Sequence, residues 1–327
     1  MIQVNKSATN APSEQADSPI WAITAYFNPV GYQRRLWNYR VFREQLSLPL
    51  MTIEFGWKGA FDLSSDDADL LIRLQGPDVL WQRERLLNVA LASVPVEATK
   101  LVWLDCDVLF EDADWINHLD LALDEYPCVQ AYSEVVRLPK QTRPQWQPEF
   151  GELEGRPALC SLISRRHDLQ SVCRDLPRSP GRVFPGPTGF GWAFRKELML
   201  RHGFYDVGVL GGGDISFISA LAGCYDIATR YHSMTTAAEQ HYLRWARQFH
   251  QEVGQRVRCL PARLYHLWHG DVNHRGYQTR YHDFDRFDFD PEADLALADN
   301  GVWQWGSAKP ELHEFVRDYF AARREDG

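Results

Sequence analysis

The sequence predicts an α/β fold in which a doubly wound, mostly parallel central sheet is flanked by helices. Two observations predict this class. Apolar runs with the length of buried strands alternate with segments of helical periodicity from residue 20 to residue 138, and this order is typical of parallel sheets joined by crossover helices. The chain also has 327 residues, 45% of them hydrophobic and 24% charged, which is enough for a large core in one domain.

Each element follows from its own local pattern. Pro77 suits the first turn of the second helix, Pro127 ends the third, and Gly203 is a typical residue just after a helix. Strands are expected at residues 20–27, 50–55, 70–74, 100–110, 128–138 and 261–267. Helices are expected at residues 33–46, 77–93, 112–126, 195–202, 215–222, 236–253 and 310–323.

A single domain is expected over residues 19–327. Residues 1–18 are polar and lack the apolar core of a signal peptide, which predicts a disordered leader. Residues 139–187 hold eight of the 18 prolines, so we expect an irregular surface segment, either on the acceptor side of a site or without a role. A helical tail is expected over residues 290–327. No run approaches the roughly 18 apolar residues of a membrane span.

Charge and cysteine spacing exclude several classes of protein. The net charge of −9 lacks the basic footprint of a duplex-binding protein, so nucleic acid is not an expected partner. The six cysteines are widely spaced and contain no Cys-x-x-Cys, which excludes zinc ribbons and disulfide scaffolds. Reduced thiols in a cytoplasmic protein are the expectation.

Two acids interrupt the most apolar stretch of the chain. Asp105 and Asp107 follow the run Leu101–Leu104, with one residue between them. If this stretch is a strand, the two carboxylates point to the same side of it. Carboxylates at the carboxyl end of a parallel strand can bind a divalent cation, and the end of the first strand, Thr24–Asn28, meets the same edge of the sheet. A strand end with a turn-forming and a helix-capping Asp is the alternative.

Four segments, taken in chain order, resemble a known family. They are Gln82-Arg-Glu-Arg-Leu-Leu-Asn-Val-Ala90; Asp105-Cys-Asp107; the composite of Gly189–Leu198, Gly203–Asp206 and Gly211–Asp214; and His266-Leu-Trp-His-Gly270. With these the chain resembles the GT-A class of nucleotide-sugar glycosyltransferases, closest to family-2-type enzymes and the catalytic domain of β-1,4-galactosyltransferases. The chain departs from that pattern at Gly213, where the family has Glu, and in Asp206–Leu210, which replaces a Trp-Gly-Trp loop. These departures leave the acceptor open.

The resemblance implies a metal-dependent, inverting hexosyltransferase of the EC 2.4 class. It would move a sugar from a nucleotide sugar, with UDP favoured, to a hydroxyl of a carbohydrate or glycoconjugate. Asp214 would be the catalytic base, unless it serves only as a helix N-cap. Asp107 would bind the metal directly, and Asp105 would orient ribose or a metal-bound water. His269 is the expected third ligand, with His266 as the other candidate, and an imidazole ligand favours Mn²⁺ over Mg²⁺.

Further residues are expected to contact the two substrates. Donor-binding candidates are Thr24, Phe27, Asn28, Asp78, Trp81, Arg83, Asp105 and Arg275. Acceptor candidates are Trp192, Gly212 and Gly213. For Trp81 the alternative is ordinary packing of a helix on the sheet.

Two other functions remain open at this point. A sugar-phosphate nucleotidyltransferase shares the doubly wound sheet. It would need a Gly-rich loop with a basic residue after the first strand, where this chain has Tyr26-Phe-Asn-Pro29. A non-catalytic sugar-binding module on the same fold is the other possibility.

Overall fold

The computed structural model describes residues 3–6, 19–140, 150, 152–166, 186–254, 256–277 and 279–327. The strands are β1 Gln3–Lys6, β2 Ile20–Phe27, β3 Leu50–Gly56, β4 Leu70–Gln75, β5 Lys100–Leu104, β6 Val108–Phe110, β7 Cys128–Gln130, β8 Glu134–Arg137, β9 Arg156–Pro157, β10 Gly191–Arg195, β11 Val257–Cys259, β12 Arg263–His266, β13 Leu295–Leu297 and β14 Trp303–Trp305. The helices are α1 Gln33–Gln45, α2 Arg83–Ser93, α3 Trp115–Glu125, α4 Leu159–Arg166, α5 Lys196–His202, α6 Gly213–Ala222, α7 Tyr225–Tyr231, α8 Thr236–Val253, α9 Arg280–Phe284, α10 Pro291–Asp294 and α11 Pro310–Ala322.

Eight strands form the central sheet, in the order β1-β4-β3-β2-β5-β10-β7-β11. Strands β4, β3, β2 and β5 are parallel neighbours, while β10 runs antiparallel between β5 and β7. All residues of β2 and β3 are buried. Parallel strands covered on both faces read as continuous apolar runs, which is why the sequence predicted them well. The predicted α/β class with a mostly parallel sheet is confirmed.

Helices cover both faces of this sheet. Trp103 of β5 packs on one face with Leu86 of α2. Its neighbour Val102 packs on the other face with Tyr39 of α1 and Leu119 of α3. The alternation of side chains along a strand places adjacent residues in opposite layers. None of the helices in the described residues is long and apolar enough to cross a membrane.

Two predicted strands are each divided between two sheets. The stretch 100–110 is β5 in the large sheet and β6 in a four-stranded sheet of order β6-β12-β8-β9. Residues 128–138 likewise become β7 and β8. Asp105 and Asp107 therefore lie in the turn between two sheets rather than on one strand. The apolar run hid this division because both halves are buried, and local hydrophobicity does not say which sheet a strand joins.

The second helix begins at Arg83 rather than at Pro77. Tertiary hydrogen bonds hold the intervening residues in non-helical positions: Trp57 Nε1 donates to the Asp78 carbonyl (2.8 Å), and the Trp81 N–H donates to the Val209 carbonyl (3.0 Å). These bonds replace the helical ones that the sequence pattern predicted.

Three predicted regions contain more regular structure than expected. Within the leader, residues 3–6 form β1, paired antiparallel with β4, and the rest of 1–18 lies outside the described residues. The segment 139–187 contains α4 and β9, with residues 141–149, 151 and 167–185 outside the described residues. The tail 290–327 contains the β13–β14 hairpin as well as helices.

Candidate functional site

A cavity of about 460 Å³ opens where β2 and β5 end. This volume lies in the range of small-molecule sites, and the carboxyl ends of parallel strands are where such sheets bind ligands. The sequence-predicted residues that line it are Thr24, Phe27, Trp81, Arg83, Asp105, Asp107, Gly212, Asp214, His266, His269 and Arg275. The structure therefore brings most of the predicted site together from six separate segments of the chain.

Asp107, His266 and His269 form a compact group of possible metal ligands. Asp107 Oδ2 lies 3.1 Å from His269 Nε2, and the two Nε2 atoms are 3.1 Å apart. Two ligands at ~2.1 Å from one ion and at a right angle are ~3.0 Å apart, so this spacing fits a divalent cation. Asp107 Oδ1 is buried without a hydrogen-bond partner in the described part of the chain. The three residues together could hold a metal.

Both histidines face this group because of how β12 ends. His266 is the last residue of the strand, and the Leu267 N–H then donates to the Asp107 carbonyl (2.9 Å). The chain turns there and returns His269 to the same point. The sequence pattern required only one of the two histidines to face the site, because it treated 261–267 as a regular strand.

Burial and the neighbouring charges set the protonation of this group. Burial, aided by Arg275, lowers the pKa of His269 to about 3. Burial and the neighbouring His269 lower the pKa of His266 well below its usual range. Both imidazoles are therefore neutral, which is the form that binds metal. Burial and the Asp105 carboxylate raise the pKa of Asp107 to about 7, so an added positive charge would favour its ionised form.

Arg83 joins the acids on the neighbouring wall. Its Nη1 donates to Asp105 Oδ1 (3.1 Å), its Nη2 donates to Glu84 Oε1 (2.6 Å), and Nη2 lies 3.8 Å from Asp214 Oδ1. Asp105 is not part of the group formed by Asp107 and the two histidines. This agrees with Asp107 as the expected direct ligand, and the role of Asp105 toward ribose or a metal-bound water stays a prediction.

Asp214 lies in the first turn of α6 and faces the cavity. Thr188 Oγ1 donates to its Oδ2 (2.5 Å). Gly211 and Gly212 have φ of +83° and +80°, a conformation that glycine adopts without steric cost. An acid at a helix N-terminus also interacts favourably with the helix dipole. The arrangement presents one carboxylate to the cavity across from the possible metal ligands.

The structure gives a physical reason for Gly213, the position where the resembling family has Glu. A Cβ at residue 213 would lie 2.2 Å from the Glu84 carboxylate oxygen, in space that is already occupied. Glu84 is buried and paired with Arg83. A carboxylate from α2 therefore fills the region where a side chain at 213 would begin.

Gly213→Ala is expected to destabilise the fold by ~1–3 kcal/mol, the usual cost of overpacking a buried site. The matched control is Gly208→Ala, because a Cβ there would lie 3.6 Å from the nearest atom, the Gly211 carbonyl oxygen. Its effect should stay within ~0.5 kcal/mol. Urea unfolding of both variants measures the difference, and equal stabilities would show that Glu84 can move aside without cost.

Two cationic residues of the site, Arg35 and Arg323, were not anticipated. They line the cavity together with Arg280 and the predicted Arg83 and Arg275. Arg275 is buried, and its Nη2 donates to His269 Nε2 (2.9 Å). Arg35 lies in the first turn of α1, the helix that follows β2. A crossover begins at the ligand-binding edge of the sheet, so this position could have been predicted to lie near the site. Arg323, in contrast, follows α11 near the end of the sequence and carries no local signal.

The cavity differs sharply in charge from the whole chain. Seven arginines and three carboxylates line it, although the chain has a net charge of −9. The additional arginines are Arg137 and Arg156, and the carboxylates are Asp105, Asp107 and Asp214. Such a concentration of guanidinium groups suits an anionic ligand, above all one with phosphate groups.

Four predicted residues do not line the cavity: Gly213, described above, and three others. Asn28 accepts from the Tyr32 N–H (2.9 Å) and donates to Asp62 (2.8 Å), so it holds the turn before α1. Asp78 Oδ2 accepts from the Trp305 N–H (2.9 Å), because the C-terminal hairpin covers it. Trp192 is fully buried in β10, with its Nε1–H donated to the Thr188 carbonyl (2.7 Å). Asn28 and Asp78 therefore do not line the cavity, which corrects their assignment as donor-binding residues. Trp192 is a core residue, which corrects its assignment as an acceptor contact.

Phe27 and Trp81, two of the donor-binding candidates, are only partly free to stack on the base of a nucleotide. Phe27 and Trp81 are in edge-to-face contact at 5.1 Å between ring centroids. Trp81 also packs on Phe320, with 6.1 Å between centroids, and lies under the Arg323 guanidinium at 5.3 Å. Packing thus accounts for part of the Trp81 ring, while both aromatic residues still line the cavity.

No family model and no curated protein match the chain. Solved structures do match it, at low sequence identity. TarS of S. aureus, solved in complex with UDP-GlcNAc, shares 12% identity at a TM-score of 0.35, covering 76% of this chain and 58% of that one. The mannosyltransferase PcManGT of Pyrobaculum calidifontis, solved with GDP-Man and Mn²⁺, shares 15% identity at a TM-score of 0.41, covering 96% of this chain and 77% of that one.

A nucleotidyltransferase-like structure also matches. It is 4-diphosphocytidyl-2C-methyl-D-erythritol synthase of Anaerococcus prevotii, with 9% identity, a TM-score of 0.34, and coverage of 94% of this chain and 98% of that one. The chain therefore spans less than two thirds of the TarS chain but most of the other two. Similarity at this level does not assign the chain to a family, and the resemblance to family-2-type enzymes and β-1,4-galactosyltransferases stays a prediction.

Proposed function

We propose that the chain is a metal-dependent, inverting glycosyltransferase. It moves a sugar from a nucleotide sugar, preferably a UDP-sugar, to a hydroxyl of a carbohydrate or glycoconjugate. One observation carries the proposal: metal donors, an arginine cluster and a separate carboxylate face one cavity at the carboxyl ends of parallel strands. A sugar attached to a nucleoside diphosphate needs these three elements, because it has an anionic leaving group and reacts with a hydroxyl.

Asp107, His266 and His269 would hold the cation. A divalent ion bound there would offset the charge that collects on the departing diphosphate. A set of one carboxylate and two neutral imidazoles favours Mn²⁺ over Mg²⁺, because imidazole is a softer ligand than water or carboxylate. The short distances within the group support this role.

The arginines would bind the phosphate oxygens. Guanidinium groups match phosphate with two parallel hydrogen bonds, and Arg275, Arg280 and Arg323 line the cavity with buried side chains. Thr24, Phe27 and Asp105, at the strand ends, would contact the nucleoside. Thr24 Oγ1 already donates to the Leu104 carbonyl (2.7 Å), so its oxygen is held in a fixed position.

Asp214 would act as the general base. It would take the proton of the acceptor hydroxyl while that oxygen attacks the anomeric carbon and the bond to the diphosphate oxygen breaks. The transition state is oxocarbenium-like, and attack on the face opposite the leaving group inverts the configuration. The backbone of Gly212 and Gly213 would let the acceptor approach this carboxylate closely.

A thermal-shift panel of nucleotide sugars with Mn²⁺ tests the proposal. The correct donor should stabilise the folded chain by ~2.7 kcal/mol at 100 times its Kd, and excess EDTA should abolish the shift. The free sugar without its nucleotide is the control and should have no effect. Donor turnover that persists in EDTA would remove the metal from the mechanism. Pyrophosphate formed from a nucleoside triphosphate and a sugar phosphate would identify a nucleotidyltransferase instead.

A further inference from the structure

Residues 323–326 dock directly on the candidate metal group. Gly270, next to His269, has φ of +92°, and a Cβ there would lie 2.8 Å from the Arg323 carbonyl oxygen. Asp326 accepts hydrogen bonds from the Gln33 and Arg34 N–H groups (3.2 and 2.8 Å). These are orphan donors at the start of α1, which lacks a side-chain cap of its own. The segment is therefore held at Arg323 by close packing on Gly270 and at Asp326 by hydrogen bonds to the start of α1.

Glu325 is the centre of this docked segment. Its side chain is 2% exposed, and its carboxylate accepts from Arg323 Nε (2.6 Å) and lies 3.3 Å from Arg35 Nη1. Both arginines line the cavity. A buried carboxylate is costly unless it is paired, so these contacts explain why Glu325 can stay buried.

The same carboxylate faces His269 from behind. Glu325 Oε1 lies 3.6 Å from His269 Nδ1, which is longer than a hydrogen bond. His269 Nδ1 is buried and has no hydrogen-bond partner within the described ranges. On its other side, His269 presents Nε2 to Asp107 Oδ2. Asp107 and Glu325 are both acceptors, so they do not place the ring proton by themselves. Arg275 Nη2 donates to Nε2 (2.9 Å), which puts the lone pair on Nε2 and the proton of the neutral ring on Nδ1, toward Glu325.

We infer that Glu325 is the positioning residue of the metal group, which holds His269 in the Nδ1–H tautomer with the Nε2 lone pair turned toward Asp107, where a cation would take the place of the Arg275 donor. The inference rests on the proposed metal role of His269. Metal-bound histidines usually direct their second nitrogen to such an acceptor, and the partner fixes the orientation of the ring and raises its basicity. Through Arg35 and Arg323 the same carboxylate also holds two cations at the cavity wall. A single buried acid thus couples the metal group to the phosphate-binding arginines.

The first test measures Mn²⁺ binding alone, without nucleotide, by isothermal titration calorimetry. Glu325→Gln keeps the shape of the side chain and removes its charge, and it should weaken Mn²⁺ binding ~10–100-fold. Glu325→Asp, which retains the charge, should recover part of the loss. Asp326→Asn is the matched control in the same segment: it should lower the Tm through the weakened cap of α1 but leave the Mn²⁺ affinity unchanged. Mn²⁺ binding by Glu325→Gln that equals the wild type would overturn the inference.

The second test is made on the wild-type protein, and a variant is used only to assign one signal. Long-range ¹H–¹⁵N NMR of ¹⁵N-histidine-labelled, metal-free protein reports which ring nitrogen of His269 carries the proton, with His269→Asn used to assign the signal. The Nδ1–H tautomer is expected, and an Nε2–H ring would refute the role of Glu325. The two proposals fail separately. A wild-type protein that binds no Mn²⁺ would refute the metal site, while normal Mn²⁺ binding with an Nε2–H ring would refute only the positioning by Glu325.

Discussion

Asp214→Asn should abolish sugar transfer while leaving donor binding intact. The amide has nearly the same shape but cannot take a proton from the acceptor hydroxyl, and a general base contributes ~10²–10⁴-fold to such a rate. Thr188 can still donate to the remaining carbonyl oxygen, so the local structure should persist. The expected result is a kcat lowered by this factor with a nearly unchanged KM for the donor.

Steady-state kinetics with the donor identified by thermal shift measure this effect. Asp206→Asn is a matched control, since that acid is paired with Arg85 and Asn88 and does not line the cavity. It should affect stability and not kcat. Thr188→Val, which removes the hydrogen bond to Asp214, should give a smaller loss than Asp214→Asn. A variant Asp214→Asn that transfers sugar at the wild-type rate would leave Asp214 only its favourable interaction with the dipole of α6, whose N-cap is Gly212.

Asp107→Asn should remove metal-dependent donor binding. It replaces the charged member of the group formed with His266 and His269. Loss of a direct ligand should lower the metal affinity by more than the ~10–100-fold expected when a residue that only hydrogen-bonds a ligand is lost. Asp105→Asn offers a matched comparison within the same Asp-Cys-Asp motif. Because Asp105 pairs with Arg83, its loss should weaken donor binding and leave Mn²⁺ affinity unchanged. Calorimetric titration of both variants with Mn²⁺ separates the two acids, and equal losses would place both at the metal.

Asp107→Asn should not destabilise the protein in the absence of metal. Burial raises the pKa of Asp107 from 3.8 to about 7, so its ionised form opposes folding once the pH rises above the unfolded value. This cost grows between pH 3.8 and about 7 and is constant above that range. Metal-free Asp107→Asn should therefore be at least as stable as the wild type at pH 8, which thermal unfolding in EDTA would reveal. A marked loss of stability there would mean that Asp107 serves the fold rather than a ligand.

Local sequence patterns predicted the framework of this site. The fully buried strands β2 and β3 are mostly apolar, interrupted only by Thr24 in the first and by Thr52 and Glu54 in the second. Thr236–Val253 forms a helix over the predicted residues. Asp107 was found because it follows an apolar strand, at the edge where parallel sheets bind ligands. The two histidines came from the resemblance to the glycosyltransferase family. The possible roles of these residues came from resemblance and from their chemistry, and they remain to be tested.

Other assignments from the sequence needed the structure. Trp192 resembled an acceptor-stacking residue, yet its strand is central and covered on both faces, so the indole is core. Asp78 resembled a donor ligand at a helix start, but hydrogen bonds to Trp57 and Trp305 keep its segment out of the helix and away from the cavity. Both errors arise because local pattern does not report what packs on an element from a distant part of the chain.

The sequence by itself determined the α/β class, the parallel strands and the Asp-x-Asp position, because the period and length of apolar runs are local properties. Only the tertiary structure decided that Asp105 and Asp107 have different partners, that His266 joins His269, and that Arg35, Arg323 and Glu325 belong to the site. Those contacts join residues up to about 290 positions apart. They depend on how distant segments of the chain pack together at the edge of the sheet, and local sequence patterns do not determine that packing.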